Sequence, residues 1–131
     1  MRLIKILGTH IIAEFIEVDS KLLKDKEFII NVLLEACKKS GATILGEFSY
    51  KFDADGGVTA FVPLAESHCS FHSWSEYGYI ACDAYTCGTH VNPHVIVDYI
   101  HEKFGGSVAT KQFDRGMPYK EDTYGRPEPI E

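Results

Sequence analysis

The 131-residue sequence has little basic charge, a single tryptophan, and no repeated or low-complexity segment. No stretch approaches the roughly 18 consecutive apolar residues that a membrane-spanning helix needs. The opening Met1-Arg2-Leu3-Ile4-Lys5-Ile6-Leu7-Gly8 is too short for the apolar part of a secretion signal, so a cytoplasmic protein with no membrane partner is expected. Thirteen Lys+Arg against nineteen Asp+Glu give a net charge of -6. That balance argues against a nucleic-acid partner and mainly favours solubility. Without a secretion signal, Cys37, Cys69, Cys82 and Cys87 are expected to be reduced, most of them as buried thiols. What is present fits one ordinary domain: 45% hydrophobic and 24% charged residues suffice for a core without disulfide or metal staples.

Residues 8–18 are β-branched and partly alternating, which predicts a strand. Asp19 and Ser20 are candidate N-caps for a helix whose apolar face runs from Leu22 to Cys37 and which Gly41 ends. A second strand is expected over 42–52, then a turn at Asp53-Ala54-Asp55-Gly56-Gly57, then a third strand over 58–65. Strands follow over 68–74 and 79–85. Asn92-Pro93 opens a second helix, with Asn as cap and Pro at the first helical position, and Gly105-Gly106 close it. A last strand is expected over 107–113. The tail from Asp114, with Pro118, Pro127 and Pro129, is expected to lie extended over the surface or onto a partner chain. The order βαββββαβ argues an α+β fold: a mostly antiparallel sheet with two helices on one face. Its other face needs water or a partner.

Chemistry concentrates in residues 57–88, GVTAFVPLAESHCSFHSWSEYGYIACDAYTCG, which hold two histidines, three cysteines and the only tryptophan. A zinc site fits poorly. His68 and His72 share an expected strand, where four residues of rise separate them by about 13 Å, too far for one ion. Cys87, in Thr86-Cys87-Gly88 at a strand end, is a candidate thiol nucleophile if a histidine adjoins it. Ser67, in Glu66-Ser67-His68, is a candidate hydroxyl with a neighbouring base, although no Gly-x-Ser-x-Gly elbow surrounds it. Composition and spacing alone reach a cytosolic α+β domain with a candidate small-molecule site.

The pattern of residues goes further. Gly8-Thr9-His10-Ile11-Ile12-Ala13-Glu14, Ser40-Gly41-Ala42-Thr43-Ile44, Gly57-Val58-Thr59 and Glu66-Ser67-His68 occur in that order. Phe71-His72-Ser73-Trp74-Ser75-Glu76-Tyr77-Gly78-Tyr79 and Asp83-Ala84-Tyr85-Thr86-Cys87-Gly88 follow. From residue 8 to about 104 this resembles the short prokaryotic S-adenosylmethionine decarboxylases, self-processing proenzymes that carry a pyruvoyl group. The resemblance implies a single domain over 1–131 that cuts itself between Glu66 and Ser67 into a β chain, 1–66, and an α chain, 67–131. Ser67 would become the pyruvoyl group that forms a Schiff base with a substrate amine and takes up the electrons released with CO2. Neither pyridoxal phosphate nor a metal is then needed. His72 would remove the Ser67 α-proton during processing, and Cys87 would return a proton to the substrate. Thr59 would hold the processing intermediate through its hydroxyl, Glu76 would accept hydrogen bonds from a ribose, and Phe52 would stack on adenine. His68, Cys69 and Cys82 are left structural. The resemblance also implies a homodimer, or dimer of αβ heterodimers, whose sheets pack face to face as αββα with sites between subunits.

Three departures bear on the substrate. Ser75 stands where the family has proline between Trp and Glu, which loosens the turn presenting Glu76. Thr59 stands where it has serine; the stiffer side chain predicts slower processing. The turn before Thr59 is one residue longer, so that either Phe52 or Asp53 aligns with the adenine-stacking aromatic. An acidic turn at Asp53 and Asp55 also suits a guanidinium or ammonium. Decarboxylation of adenosylmethionine, a step towards spermidine, is the leading expectation. Decarboxylation of L-arginine or L-ornithine to agmatine or putrescine is the alternative. A non-enzymatic ligand- or metal-binding module is the reading from another class.

Overall fold

The structure is a computed structural model describing residues 2–121 and 123–128. Six strands form one antiparallel sheet: β1 (Leu3–Ile16), β2 (Phe48–Lys51), β3 (Val58–Leu64), β4 (Ser67–Trp74), β5 (Tyr79–Cys87) and β6 (Ser107–Pro118). Their spatial order is β2-β3-β4-β5-β1-β6. Three helices, α1 (Ser20–Leu23), α2 (Lys26–Lys39) and α3 (Pro93–Phe104), contribute apolar side chains to the core on one face of the sheet. The fold is therefore the expected α+β layer, with three helices rather than two. Among the described residues no helix is long and apolar enough to cross a membrane.

Alternation along the strands decides which side is core. Ile11, Ala13 and Phe15 of β1, Cys69 and Phe71 of β4, and Ile80, Cys82 and Ala84 of β5 are buried. They meet Ile29, Leu33, Ala36 and Cys37 of α2 and Ile96, Ile100 and Phe104 of α3 in one cluster. The residues between them in sequence face the open side.

The departures from the expected elements have local causes. The first helix is two, because Asp19 caps α1 through Lys21 N–H while Asp25 offers its own carboxylate to Phe28 N–H and starts α2, as strong N-cap residues do. The expected strand at 42–52 shrinks to β2 with one isolated bridge between Ile44 and Leu64. Pro63 of β3 has no N–H to give a neighbouring strand, so the ladder stops at Phe48–Phe61 and only Leu45 N–H reaches the Pro63 carbonyl. β1 starts earlier than expected, at Leu3, and ends at Ile16 before Glu17, which has φ of 61°. β6 follows it far past residue 113, to Pro118. The tail then makes a small hairpin, β7 (Lys120–Glu121) with β8 (Pro127–Glu128), while Pro129 lies outside the described residues. α3 forms where expected, with Asn92 accepting from His94 N–H and Pro93 at its first position.

Candidate active site

The expected site residues fall into two groups at opposite ends of the central strands. At one end, Ser67 opens β4 opposite Thr86 of β5. Its φ of 139° lies in a region that side-chain-bearing residues rarely adopt, at a cost of order 1–3 kcal/mol. The preceding carbonyl, that of Glu66, accepts the Cys87 backbone N–H at 2.8 Å. A backbone donor there polarises the carbonyl and stabilises negative charge developing on its oxygen. Cys87 itself ends β5, half-exposed and free, on the edge of a cleft of about 650 Å³ lined also by Ile6, Gly8, Thr9 and Thr86. Gly8 faces Cys87 across β1 and β5. A Cβ there would lie 2.7 Å from the Tyr85 ring and 2.9 Å from the Thr86 carbonyl, so only glycine lets the two strands close at this end.

Glu66 is almost wholly buried although it is a carboxylate. Thr43 donates to it twice, from its backbone N–H at 2.9 Å and its hydroxyl at 3.1 Å, and His90 Nε2 donates at 2.8 Å. The Thr43 backbone first, then His90, hold its pKa down at about 2.

At the other end, Thr59 of β3 and His72 of β4 are directly opposed on the open face. The Thr59 hydroxyl and His72 Nδ1 share a hydrogen bond of 3.1 Å. Phe52, Trp74 and Glu76 join them around a cleft of about 340 Å³. Trp74 packs against Tyr79, ring centres 5.2 Å apart. The one-residue-longer turn is resolved by its own hydrogen bonds. Asp53 Oδ1 accepts Asp55 N–H at 3.2 Å, while Asp55 pairs with Lys24 at 3.8 Å, and Asp53 is not among the residues that line the cleft. Phe52 is. Ser75 donates to the Asp55 carbonyl at 3.0 Å and so ties the turn carrying Glu76 to the acidic turn.

Within one chain the two groups do not meet. His72 lies five residues along β4 from Ser67, roughly 16 Å by strand rise. A single chain therefore brings Ser67 to Cys87, and Thr59 to His72, but His72 not to the proton it was expected to remove.

Between the two ends, the open face carries a polar network that sequence reasoning left without a role. His10 of β1, at 2.6 Å, and His68 of β4, at 3.0 Å, both reach Asp83 Oδ2 of β5, and Ser70 donates to Oδ1. Burial pushes the Asp83 carboxyl up, but the Ser70, His10 and His68 hydrogen bonds outweigh it and hold it below its usual value. These atoms come close enough to suggest a metal site. Yet Arg115 Nη1 lies 3.0 Å from His10 Nδ1, and a guanidinium only donates. His10 Nδ1 is therefore the bare nitrogen, and Nε2 carries the proton given to Asp83. The set is satisfied as hydrogen bonds. Cross-strand register, invisible in spacing along the chain, assembles it. Glu14 similarly accepts from Tyr79, whose phenol is pushed up to about 12 by that carboxylate and by burial.

These features define a small two-layer α+β protein with a strained Glu-Ser junction at a strand start and a free thiol beside it. Residues 9–116 match the family model for S-adenosylmethionine decarboxylase. The chain is 40% identical over 117 residues to the S-adenosylmethionine decarboxylase proenzyme of Pyrobaculum islandicum, covering 88% of this chain and 93% of the relative. It is 38% identical over 112 residues to the proenzyme of the same name from Acidithiobacillus ferrooxidans, covering 85% and 84%. The crystal structure of the adenosylmethionine decarboxylase from Aquifex aeolicus superposes with a TM-score of 0.80 at 32% identity, over 91% of this chain and 98% of that one. The chain belongs to the S-adenosylmethionine decarboxylase family.

Proposed function

We propose that this chain is the proenzyme of a pyruvoyl-dependent decarboxylase that acts on S-adenosylmethionine and so makes the aminopropyl donor for spermidine. The observation that carries the reading is the junction itself: Ser67 at φ 139°, with the carbonyl before it on the Cys87 amide, in a chain of this family. Ser67 Oγ attacks the Glu66 carbonyl carbon. The C–N bond between the two residues breaks, an ester to Oγ forms, and the nitrogen becomes the Ser67 amine. Loss of the Ser67 α-proton then breaks the Cβ–Oγ bond and releases 1–66 with a free α-carboxylate. Water displaces the remaining nitrogen as ammonia, leaving a pyruvoyl group at the head of 67–131. That group supplies the carbonyl electron sink which the twenty side chains lack.

The other residues act around it. Cys87, beside the new N-terminus, returns a proton to the substrate carbon that lost CO2. Phe52 offers its ring to the adenine, and Glu76 accepts hydrogen bonds from the ribose hydroxyls. His72, with Thr59 beside it, removes the Ser67 α-proton, and the separation of the two groups requires this His72 to come from a second copy of the chain. In the resulting dimer the open sheet faces pack together and each site is built from the Ser67 end of one protomer and the Thr59 end of its partner. Four free cysteines fit the reducing cytoplasm. The acidic turn gives the arginine and ornithine alternative no support, since its carboxylates serve the turn and Lys24.

Two measurements test the reading. Denaturing mass spectrometry should show two fragments for the native chain and an uncut 14.7 kDa species for Ser67→Ala; an uncut native chain would sink the proenzyme reading. CO2 release assayed side by side should come from adenosylmethionine, and release from arginine or ornithine instead would overturn the substrate.

A further inference from the structure

The residue before the scissile bond is held more firmly than cleavage chemistry by itself requires. Three hydrogen bonds, two from Thr43 and one from His90, fix the Glu66 side chain. The Ala65 N–H adds another to the Thr43 carbonyl at 2.9 Å. The groups that supply them are themselves braced. Gly41, at φ 89°, sits so close under the His90 carbonyl that a Cβ would lie 2.7 Å from it. Gly88, at φ 85°, lets the His90 ring fold back to within 3.2 Å of where a Cβ would be. Asn92 N–H closes the loop onto the Ser40 carbonyl at 3.1 Å. The end of α2 and the loop after β5 therefore form the two jaws of one clamp, and the Glu66 carboxylate is what lies between them. On the far side of the same residue, the Glu66 carbonyl reaches the Cys87 amide.

We propose that Thr43 and His90 are positioning residues for self-cleavage, which by holding the Glu66 side chain keep its carbonyl seated on the Cys87 N–H while Ser67 attacks. The inference rests on the proenzyme reading above and adds residues that the processing chemistry does not name. Its physical basis is that the oxyanion donor is a backbone N–H on the last residue of β5. A donor of this kind is useful only if the carbonyl cannot swing away from it. A carboxylate held by charge-assisted hydrogen bonds supplies that restraint one residue from the bond to be broken. After cleavage the same clamp keeps the new C-terminus of 1–66 in place rather than loose beside Cys87.

The test follows the rate at which freshly synthesised protein splits, read by denaturing mass spectrometry, with the thermal midpoint measured alongside. His90→Ala is expected to slow cleavage about tenfold or more, the scale of a charge-assisted hydrogen bond lost in the transition state. His90→Gln, which keeps an N–H donor, should restore the rate to within about twofold. Cleavage of His90→Ala at the native rate, or equal slowing in the alanine and glutamine variants, would overturn the clamp. A native chain that stays uncut would instead sink the proenzyme reading. If His90→Ala lowers the midpoint, a second measurement decides. In uncut Ser67→Ala protein the Cys87 amide should exchange its hydrogen slowly, and Thr43→Val should speed that exchange several-fold. Unchanged exchange there would equally overturn the proposal.

Discussion

In the proposed mechanism Cys87 offers two groups to two different steps, and a substitution separates them. Its backbone N–H binds the Glu66 carbonyl, whereas its thiol is free and half-exposed in a residue that lines the cleft at this end of the sheet. Cys87→Ala keeps the first and removes the second. It should therefore split normally yet release CO2 about a hundredfold more slowly, within the usual contribution of a general acid; normal turnover by the split variant would remove the thiol from the mechanism. Glu66 makes a prediction about acid. Its folded pKa of about 2 lies below the ordinary value of 4.5, so the carboxylate binds fewer protons folded than unfolded. Its contribution to stability is complete above the unfolded value and is lost as pH falls from 4.5 towards 2. Acid unfolding of uncut Ser67→Ala protein should shift to higher pH when His90→Ala is added, which removes the largest side-chain hydrogen bond to the carboxylate, as followed by circular dichroism. An unshifted transition would mean that the carboxylate is not held.

Among the elements, the β3–β4 pair carries the Thr59–His72 group, and its geometry depends on one residue without a side chain. A Cβ on Gly57 would fall 1.8 Å from the Ser73 carbonyl, backbone that has no room to give. Ser73 in turn bonds the Val58 N–H and the Leu23 carbonyl through its hydroxyl. Gly57→Ala is expected to cost at least about 2 kcal/mol, as overpacking against fixed atoms does. The loss should appear as a lower urea midpoint, together with slower elimination because Thr59 and His72 lose their alignment. A midpoint within error of the native chain would show that the turn relaxes freely. At this scale the sequence was informative wherever local chemistry decides. Asn92-Pro93 marked the start of α3, and Asp53 to Gly57 marked a turn. It was uninformative where a distant partner decides. The strand expected from residue 42 is cut short by Pro63, which lies on its neighbour, and α1 and α2 separate because Asp25 competes as a cap within a run whose apolar spacing reads as one helix. In the site, the Ser67–Thr86 and Thr59–His72 pairings and the His10–His68–Asp83 network all come from register between strands. A motif can name such residues but cannot say which of them touch.

For the whole molecule, the open face of the sheet is where the proposed dimer would bring the two groups together. Ile12, Phe48, Tyr50, Phe61, Trp74 and Phe113 are all at least 36% exposed. By alternation the strand members among them share one face with the half-buried Asp83 network. Apolar rings and aliphatic chains around a polar centre form the kind of surface a second copy covers. A two-fold axis lying between two such faces and across the strands reverses strand direction from one protomer to the other. In the proposed dimer it would lay the Ser67–Cys87 end of each over the Thr59–His72 end of its partner, with the relation isologous. This arrangement predicts complementation between two chains that each fail alone. On the proposed mechanism, Ser67→Ala has no hydroxyl to attack with, and His72→Ala lacks the group that would take the α-proton. In a mixed dimer, one site joins the intact Ser67 of the His72→Ala chain to the intact His72 of the Ser67→Ala chain. The other site has neither. Co-expression of the two variants with different tags should therefore give complete processing of the His72→Ala chain only, in at most the fraction of molecules that are mixed dimers. The Ser67→Ala chain should stay uncut throughout. Complete processing of the His72→Ala chain when expressed alone would show that His72 is dispensable. Its failure to process in purified mixed dimers would show that each site draws its base from its own chain, against the roughly 16 Å that strand geometry puts between His72 and Ser67.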